Sequence, residues 1–244
     1  MDYLIFYKEW LRGAWRDPRQ FFENRKIREC PCCGFKGIFV SAKRRGIREF
    51  RCPNCASRPR DRQIAHVIAT PELSLINKRI LHFAPEQWLF NKLKSEDGYV
   101  GGDIIKRRCA NAHVDITNIQ FPDEHFDVII CNHVLEHVQN DSTALRECFR
   151  VLSPDGYAIF TVPTEPNRLK TWEPPEGMTE KEIERICGWD HKRLYGLDLS
   201  DRLRSVGFHA QIIMFDESDQ ESYRFLDEPV FLASKNENTK YFTE

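Results

Sequence analysis

The fold is indicated first by the run Phe126-Asp-Val-Ile-Ile-Cys-Asn-His-Val-Leu-Glu-His137. Its first half is an apolar run of the kind found in strands that are buried on both faces of a parallel sheet. Directly after this run come Asn132 and His133, two side chains able to form hydrogen bonds. In doubly wound sheets ligands bind outside the carboxyl ends of the strands. The residues that directly follow each strand are therefore the first candidates for a functional site.

Strand and helix patterns alternate on both sides of this stretch. The alternation predicts an α/β fold, with a doubly wound, Rossmann-like sheet that is mostly parallel and has an antiparallel last strand. The other predicted strands cover residues 79–83, 99–103, 113–117, 157–162, 210–215 and 229–233, and helices are predicted at 61–69, 87–93 and 142–152.

The composition is that of an ordinary soluble globular protein. The chain has 244 residues, of which 41% are hydrophobic and 30% are charged, enough for one sizeable domain with a small appendage. Its 36 basic and 37 acidic residues nearly cancel, which argues against general electrostatic capture of nucleic acid or of an anionic membrane. No apolar run approaches the roughly 20 residues that a membrane span needs, and the first residues lack the pattern of a secretory signal. We therefore expect a cytoplasmic protein.

Five of the nine cysteines lie between residues 26 and 60. Cys30 and Cys33 form one C-x2-C pair, and Cys52 and Cys55 form a second after 18 intervening residues. This spacing predicts a structural zinc site with four thiolate ligands, in preference to disulfides or another metal. Whether Cys33 or its neighbour Cys32 supplies the ligand stays open. The remaining cysteines are expected in the core: Cys109, Cys131, Cys148 and Cys187.

Three regions follow from these patterns. Residues 1–25 form an amphipathic helical segment whose aromatic stripe is expected to pack on the rest of the protein, with a lid or partner helix as the alternative. Residues 26–60 form the zinc ribbon. Residues 61–244 form the α/β domain, in which an insertion at about 163–196 is expected to cover the substrate.

The central stretch and its neighbours resemble the motifs of a known family. Residues 121–138 resemble the fourth motif of class I S-adenosylmethionine-dependent methyltransferases, and Val151-Leu-Ser-Pro-Asp-Gly-Tyr157 resembles the turn that follows it. Asp103 ends the second strand as the ribose-binding acid does in that family, and Asp115-Ile116 resembles its adenine-side motif. The resemblance covers about residues 78–165, with the motifs in the same order.

The resemblance implies S-adenosylmethionine as cofactor. It implies that Asp103 accepts hydrogen bonds from both ribose hydroxyls and that Asp115 and Ile116 bracket the adenine. Asn132 and His133 would reach the methionine end of the cofactor or the substrate.

The first motif departs from the general family pattern because it has no glycine. It runs Ile80-Leu-His-Phe-Ala-Pro-Glu86, where most class I methyltransferases carry a glycine-rich turn. A narrower group has the same Ala-Pro-Glu motif, together with the cysteine pairs and a late Asp-His-x-Arg-x-Tyr-Gly segment, which here is Asp190–Gly196. This second resemblance spans about residues 28–208. It implies that Phe83, Ala84 and Glu86 take part in cofactor binding.

Two histidines are candidates for the base that deprotonates the methyl acceptor. His191 lies in the insertion and is the favoured candidate, His133 lies at the strand end, and a reaction without a dedicated base is the third alternative. Arg193 and Tyr195 are predicted to line the acceptor site, with a salt bridge and a packed aromatic ring as the structural alternative.

The sequence thus predicts an S-adenosylmethionine-dependent methyltransferase that methylates a hydroxyl of a small molecule or saccharide. One alternative is an RNA methyltransferase that uses the zinc ribbon to bind RNA. A second is a degenerate fold that serves as a zinc-dependent binding protein, for which the glycine-free first motif is the main support. Arg60, next to the ribbon, is predicted to bind an anionic acceptor, with capping of the next helix and pairing with acids as the structural alternative. A nucleic-acid partner is disfavoured but stays open, no membrane partner is expected, and the sequence determines neither the oligomeric state nor the accepting atom. The pair Glu136 and His137 is too common a combination to predict a metal.

Overall fold

A computed structural model of the chain describes residues 26–42, 47–165 and 167–237. The helical segment predicted at 1–25 lies outside these residues. In chain order the strands are β1 (Arg28–Glu29), β2 (Lys36–Gly37), β3 (Val40–Ala42), β4 (Ile47–Arg51), β5 (Ile80–Phe83), β6 (Tyr99–Asp103), β7 (Ala112–His113), β8 (Phe126–Asn132), β9 (Leu152–Thr161), β10 (His209–Ile213) and β11 (Val230–Ser234). The helices are α1 (Pro59–Val67), α2 (Gln87–Leu93), α3 (Asp141–Val151), α4 (Glu180–Cys187), α5 (Leu199–Ser205) and α6 (Glu217–Tyr223), with single 3-10 turns at Pro71–Leu73 and Leu135–His137.

The chain divides into two compact units. The first holds the described residues up to Ala69 together with Phe215–Leu226, and the second runs from Thr70 to Met214 and resumes at Asp227. The predicted boundary after residue 60 stays a prediction. The structure adds that α1 and the segment around α6 cluster with the cysteine-rich strands, although both were predicted to belong to the α/β domain.

A buried arginine explains why these segments belong together in the first unit. The Arg62 side chain on α1 is fully buried. Its guanidinium group donates hydrogen bonds to the carbonyl oxygens of Phe50 and Ser57 in the cysteine-rich part and of Tyr223 and Arg224 at the end of α6. A guanidinium group with several fixed N–H donors suits this task, since one side chain satisfies carbonyls from three segments.

The second unit is built on a seven-stranded sheet of order β10-β11-β9-β8-β5-β6-β7. Strands β5 to β9 are parallel, whereas β11 runs antiparallel to both of its neighbours, β9 and β10. The predicted doubly wound sheet with an antiparallel last strand is therefore confirmed. Its order reverses at β5, which pairs with β6 on one side and β8 on the other, so the switch point that binds ligands in such sheets lies here.

Strand β8 forms the centre of the core. Phe126, Val128, Ile129, Ile130 and Cys131 are all fully buried, as the continuous apolar run predicts for a strand covered on both faces. Helix α3 then begins at an N-cap, where the side chain of Asn140 accepts a hydrogen bond from the backbone N–H of Thr143. In the described part of the chain no helix is long and apolar enough to cross a membrane.

Candidate functional site

The four predicted zinc ligands come together in the first unit. The sulfur atoms of Cys30, Cys33, Cys52 and Cys55 all lie within 4.8 Å of one another. The closest pairs join the two knuckles, with Cys30 Sγ 3.6 Å from Cys55 Sγ and Cys33 Sγ 3.7 Å from Cys52 Sγ. Four thiol groups in this arrangement fit a tetrahedral zinc ion and leave no coordination position open for chemistry.

The structure distinguishes the two candidate cysteines of the first knuckle. The Cys32 thiol lies outside this set of four and contacts the backbone oxygen of Asp61 at 3.5 Å. The geometry therefore favours Cys33 as the fourth ligand.

Buried polar side chains joined by hydrogen bonds lie across the switch point of the second unit. Glu86, after β5, accepts hydrogen bonds from Nε2 of His82 at 2.9 Å and from the side-chain amide of Asn132 at the end of β8. Nδ1 of His82 then accepts from the hydroxyl of Tyr99, and the amide oxygen of Asn132 accepts from the hydroxyl of Thr161 on β9. Since each of these polar groups finds a partner, the network holds the loop after β5 against three neighbouring strands.

The turn after β5 has the shape that glycines usually allow, although it contains none. Ala84 has a φ of 44°, in the left-handed region, and its N–H donates to the carbonyl of Gly102 at 2.8 Å. The preceding Phe83 is 2% exposed and belongs to the core, so it can offer a ligand only its backbone. A Cβ atom at Gly101 would lie 3.1 Å from Cγ of Pro85. Gly101 on the neighbouring strand β6 thus leaves room for Pro85 in the glycine-free turn, a signal that the sequence carried and our prediction missed.

Asp103, at the carboxyl end of β6, presents a carboxylate with unused acceptor capacity. The residue is 7% exposed, and its Oδ1 atom accepts one hydrogen bond from the N–H of Ile105 at 2.9 Å. Oδ2 makes no hydrogen bond within the described residues, and its charged neighbour is Nε of the exposed Arg107 at 2.9 Å. Beside it, Ile104 is 60% exposed. A carboxylate with free lone pairs next to apolar surface suits a ribose with an attached base.

Of the two residues predicted to bracket the adenine, one lies at the surface and the other lies in the core. Asp115 is exposed, and its Oδ1 atom accepts from the backbone N–H and the hydroxyl of Thr117. Ile116 is 5% exposed and is part of the hydrophobic core. Because its side chain faces inward, the exposed Ile104 is the better placed aliphatic group to cover a purine ring.

His133 is enclosed between two carboxylates. Its side chain is 8% exposed, with Nδ1 3.3 Å from Oε1 of Glu136 and Nε2 3.8 Å from Oε2 of Glu228. Burial raises the pKa of Glu136, but the hydrogen bond with His133 and the electrostatic attraction to His133 and His137 together outweigh it, so this pKa lies below its ordinary value. His133 therefore orients Glu136, and this enclosure does not favour it as a base that meets an acceptor.

His191 meets the end of β8 although 54 residues separate it from His137. The two imidazole rings lie edge to face with centroids 4.9 Å apart. The backbone N–H of Lys192 donates to the carbonyl of Glu136 at 2.7 Å, which fixes this part of the insertion. Burial lowers the pKa of His191, so that its imidazole is neutral near pH 7. His191 thus lies beside the 3-10 turn that follows β8, and its role as a base stays a prediction.

The structure favours the structural alternative for the two predicted acceptor-lining residues. Arg193 has a 5% exposed side chain and makes an ion pair with Glu173 at 3.1 Å. Tyr195 is 1% exposed, and its hydroxyl donates to Asp141 at 2.8 Å. Arg60, the remaining predicted substrate ligand, lies on α1 in the first unit, and its role stays a prediction.

Part of the second unit matches a known family. Residues 92–160, from α2 to β9, match the family described as Methyltransferase domain. The chain carries a methyltransferase domain match at the site just described. The match includes Asp103, Asp115 and Asn132, three of the residues expected to bind the cofactor.

Curated proteins match over shorter stretches. The chain is 29% identical over 99 residues to a Mycolicibacterium smegmatis protein named "Probable S-adenosylmethionine-dependent methyltransferase/". The aligned residues make up 41% of this chain and 35% of that protein. It is 45% identical over 38 residues to the ubiquinone biosynthesis O-methyltransferase of Pseudomonas fluorescens, 16% of each chain. The chain thus spans about a third or less of the length of these curated relatives.

Solved methyltransferase structures are also similar. An S-adenosylmethionine-dependent methyltransferase of Mesorhizobium loti aligns over 69% of this chain and 95% of its own, at 17% identity and a TM-score of 0.49. One from Archaeoglobus fulgidus aligns over 64% and 85%, at 18% identity and a TM-score of 0.45.

Proposed function

We propose that the protein is an S-adenosylmethionine-dependent methyltransferase that methylates a hydroxyl group of a small molecule or saccharide. The observation that carries the proposal is the carboxylate of Asp103, with its unused Oδ2 atom at the carboxyl end of β6, inside the segment that matches a methyltransferase domain. The matches to O-methyltransferases support oxygen as the accepting atom, although they cover only 16% of the chain.

The residues at the switch point fit the cofactor. Asp103 would accept the two ribose hydroxyls, and Ile104 and Asp115 would face the adenine from the adjacent loops. Asn132 would lie near the methionine end, because it ends the strand beside β5 and is held there by Glu86. The left-handed turn at Ala84 allows the backbone after β5 to come close to a ligand.

When bound, S-adenosylmethionine supplies a methyl group on a positively charged sulfur, which is already a strong electrophile. The main task of the protein is therefore to hold the acceptor oxygen in line with that methyl group. His191, neutral near pH 7, would take the proton of the acceptor hydroxyl.

We propose that the first unit holds one structural zinc ion through Cys30, Cys33, Cys52 and Cys55. The four thiols lie close enough together to supply all four ligands of one tetrahedral ion, so no further ligand is needed. The zinc would stabilise the fold of the unit without taking part in methyl transfer.

Calorimetric titration of the zinc-loaded protein with S-adenosylhomocysteine tests cofactor binding. We expect one site per chain, since the strand order provides a single switch point. A folded, zinc-loaded protein that binds neither this compound nor S-adenosylmethionine would refute the proposal. Radiolabelled cofactor with panels of hydroxylated small molecules, saccharides and RNA then identifies the acceptor, and transfer to RNA alone would refute the proposed acceptor class.

A further inference from the structure

Two imidazoles and one carboxylate form a second cluster of metal-ligand type in the second unit. One ligand atom from each of Glu136, His137 and His191 lies within 4.8 Å of the other two. Ligands that share a transition-metal ion lie about 3–3.5 Å apart, given metal bonds of 2.0–2.2 Å. Small rotations of these side chains reach that spacing, since Nε2 of His137 is already 3.9 Å from Oε1 of Glu136.

Surrounding groups orient each ligand as they do in metal sites. Nδ1 of His137 lies 3.1 Å from the backbone oxygen of Asp190, so it carries the proton and leaves Nε2 available. The ring of His191 interacts in turn with the backbone of Cys187. On the acid side, Nδ1 of His133 holds Oε1 of Glu136 at 3.3 Å.

The second carboxylate oxygen of Glu136 has acceptor capacity for a cation. Glu136 is 1% exposed, yet its Oε2 atom has no hydrogen-bond partner within the described residues. A buried carboxylate oxygen without a partner is costly, and binding a cation removes that cost. His137 and His191 are only half-buried, so an ion at this point keeps open positions towards solvent.

We propose that Glu136, His137 and His191 bind one divalent first-row transition-metal ion. Two imidazoles and a carboxylate suit Zn²⁺, Fe²⁺, Co²⁺ or Mn²⁺ better than Mg²⁺ or Ca²⁺, which prefer oxygen ligands. Three protein ligands leave room for an exogenous one, in contrast to the four-cysteine site.

The role of the ion, which rests on the proposed methyltransferase function, is to bind the acceptor oxygen. A hydroxyl bound to the ion loses its proton to solvent more readily, because the positive charge stabilises the alkoxide. The oxygen then forms its bond to the methyl carbon, the carbon–sulfur bond breaks with its electron pair on sulfur, and the products are a methyl ether and S-adenosylhomocysteine. In this form of the reaction His191 holds the ion and does not itself take the proton.

Titration of the full-length, zinc-loaded protein with Co²⁺ tests the site directly. Thiolate ligands give Co²⁺ an intense sulfur-to-metal charge-transfer band, which ligation by nitrogen and oxygen does not. We expect one equivalent of Co²⁺ to bind with visible bands and without the sulfur band. Glu136→Gln, His137→Ala and His191→Ala should each weaken this binding at least tenfold, whereas His209→Ala on the edge strand β10 should leave it unchanged.

Binding of S-adenosylhomocysteine by the same proteins separates the two proposals. Because the ligands are not cofactor residues, we expect the variants to bind it within about threefold of the unchanged protein, which also shows that they fold. The metal site is refuted if all bound Co²⁺ shows the sulfur band, or if His191→Ala, which changes a half-buried residue, binds Co²⁺ as tightly as the unchanged protein. Either result leaves the proposed function intact as long as S-adenosylhomocysteine binds.

Discussion

Replacing Asp103 with alanine tests the cofactor site where the structure is most specific. Oδ1 of Asp103 accepts one hydrogen bond from Ile105, and Oδ2 accepts none within the described residues, so the carboxylate has acceptor positions for both ribose hydroxyls. Hydrogen bonds to a charged group contribute about 1.5–3 kcal/mol each. Two such bonds predict a loss of at least about 3 kcal/mol, or about a hundredfold weaker binding of S-adenosylhomocysteine.

Isothermal titration with S-adenosylhomocysteine measures this loss. Asp103→Asn keeps the shape and one acceptor oxygen, so we expect an intermediate, about tenfold weakening. Asp97→Ala, which removes an exposed carboxylate from the turn before β6, is the matched control and should bind like the unchanged protein. Arg107→Ala tests the ion pair: the Arg107 side chain is 58% exposed, so we expect a change of less than threefold.

The reasoning is wrong if Asp103→Ala is folded and binds S-adenosylhomocysteine within twofold of the unchanged protein. It is also wrong if Arg107→Ala weakens binding as much as Asp103→Ala does. In that case the Asp103 carboxylate would serve mainly to position Arg107.

Three further predictions concern the rest of the chain. Cys33→Ser should lose the bound zinc and have a lower melting temperature, whereas Cys32→Ser should retain one zinc per chain, as measured by metal analysis. Equal zinc loss in both variants would contradict the assignment of Cys33 as the ligand. Arg62→Lys should lower the free energy of unfolding, measured in urea, by about 2–4 kcal/mol, because an ammonium group cannot satisfy four fixed carbonyls. A decrease below about 0.5 kcal/mol would show that the buried guanidinium does not stabilise the protein. Tyr195→Phe should lower the free energy of unfolding by about 1–3 kcal/mol, because it loses the hydrogen bond to Asp141, and it should leave the KM for the acceptor unchanged. A raised KM with unchanged stability would instead indicate that Tyr195 contacts the acceptor.

Local patterns were sufficient to predict the sheet and the clustering of four cysteines. The apolar run at 128–131 predicts a central strand because consecutive apolar residues suit a strand covered on both faces, and these four residues of β8 are fully buried. The two C-x2-C pairs predict a knuckle each, because two residues between ligands suit a tight turn. The position of Asp103 at a strand end also follows from its own short segment of sequence.

Long-range contacts decided the remainder. His191 lies beside Glu136 and His137 because a backbone hydrogen bond fixes residue 192 there, and no local pattern encodes a contact across 54 residues. Arg193 and Tyr195 were predicted to line the acceptor site, yet the structure buries both side chains within a network of ion pairs and hydrogen bonds.

The sequence alone was enough to place side chains at strand ends and to locate two cysteine knuckles, since both depend on spacings of a few residues. The choice between Cys32 and Cys33, and the question of which side chains keep an atom available to a ligand, depended on the folded structure. Oε2 of Glu136 has no hydrogen-bond partner because the segments packed around it within the described residues, some of them distant in sequence, offer it no donor. At Asp103 the neighbour of Oδ2 is the exposed Arg107, so this carboxylate keeps lone pairs for a ligand.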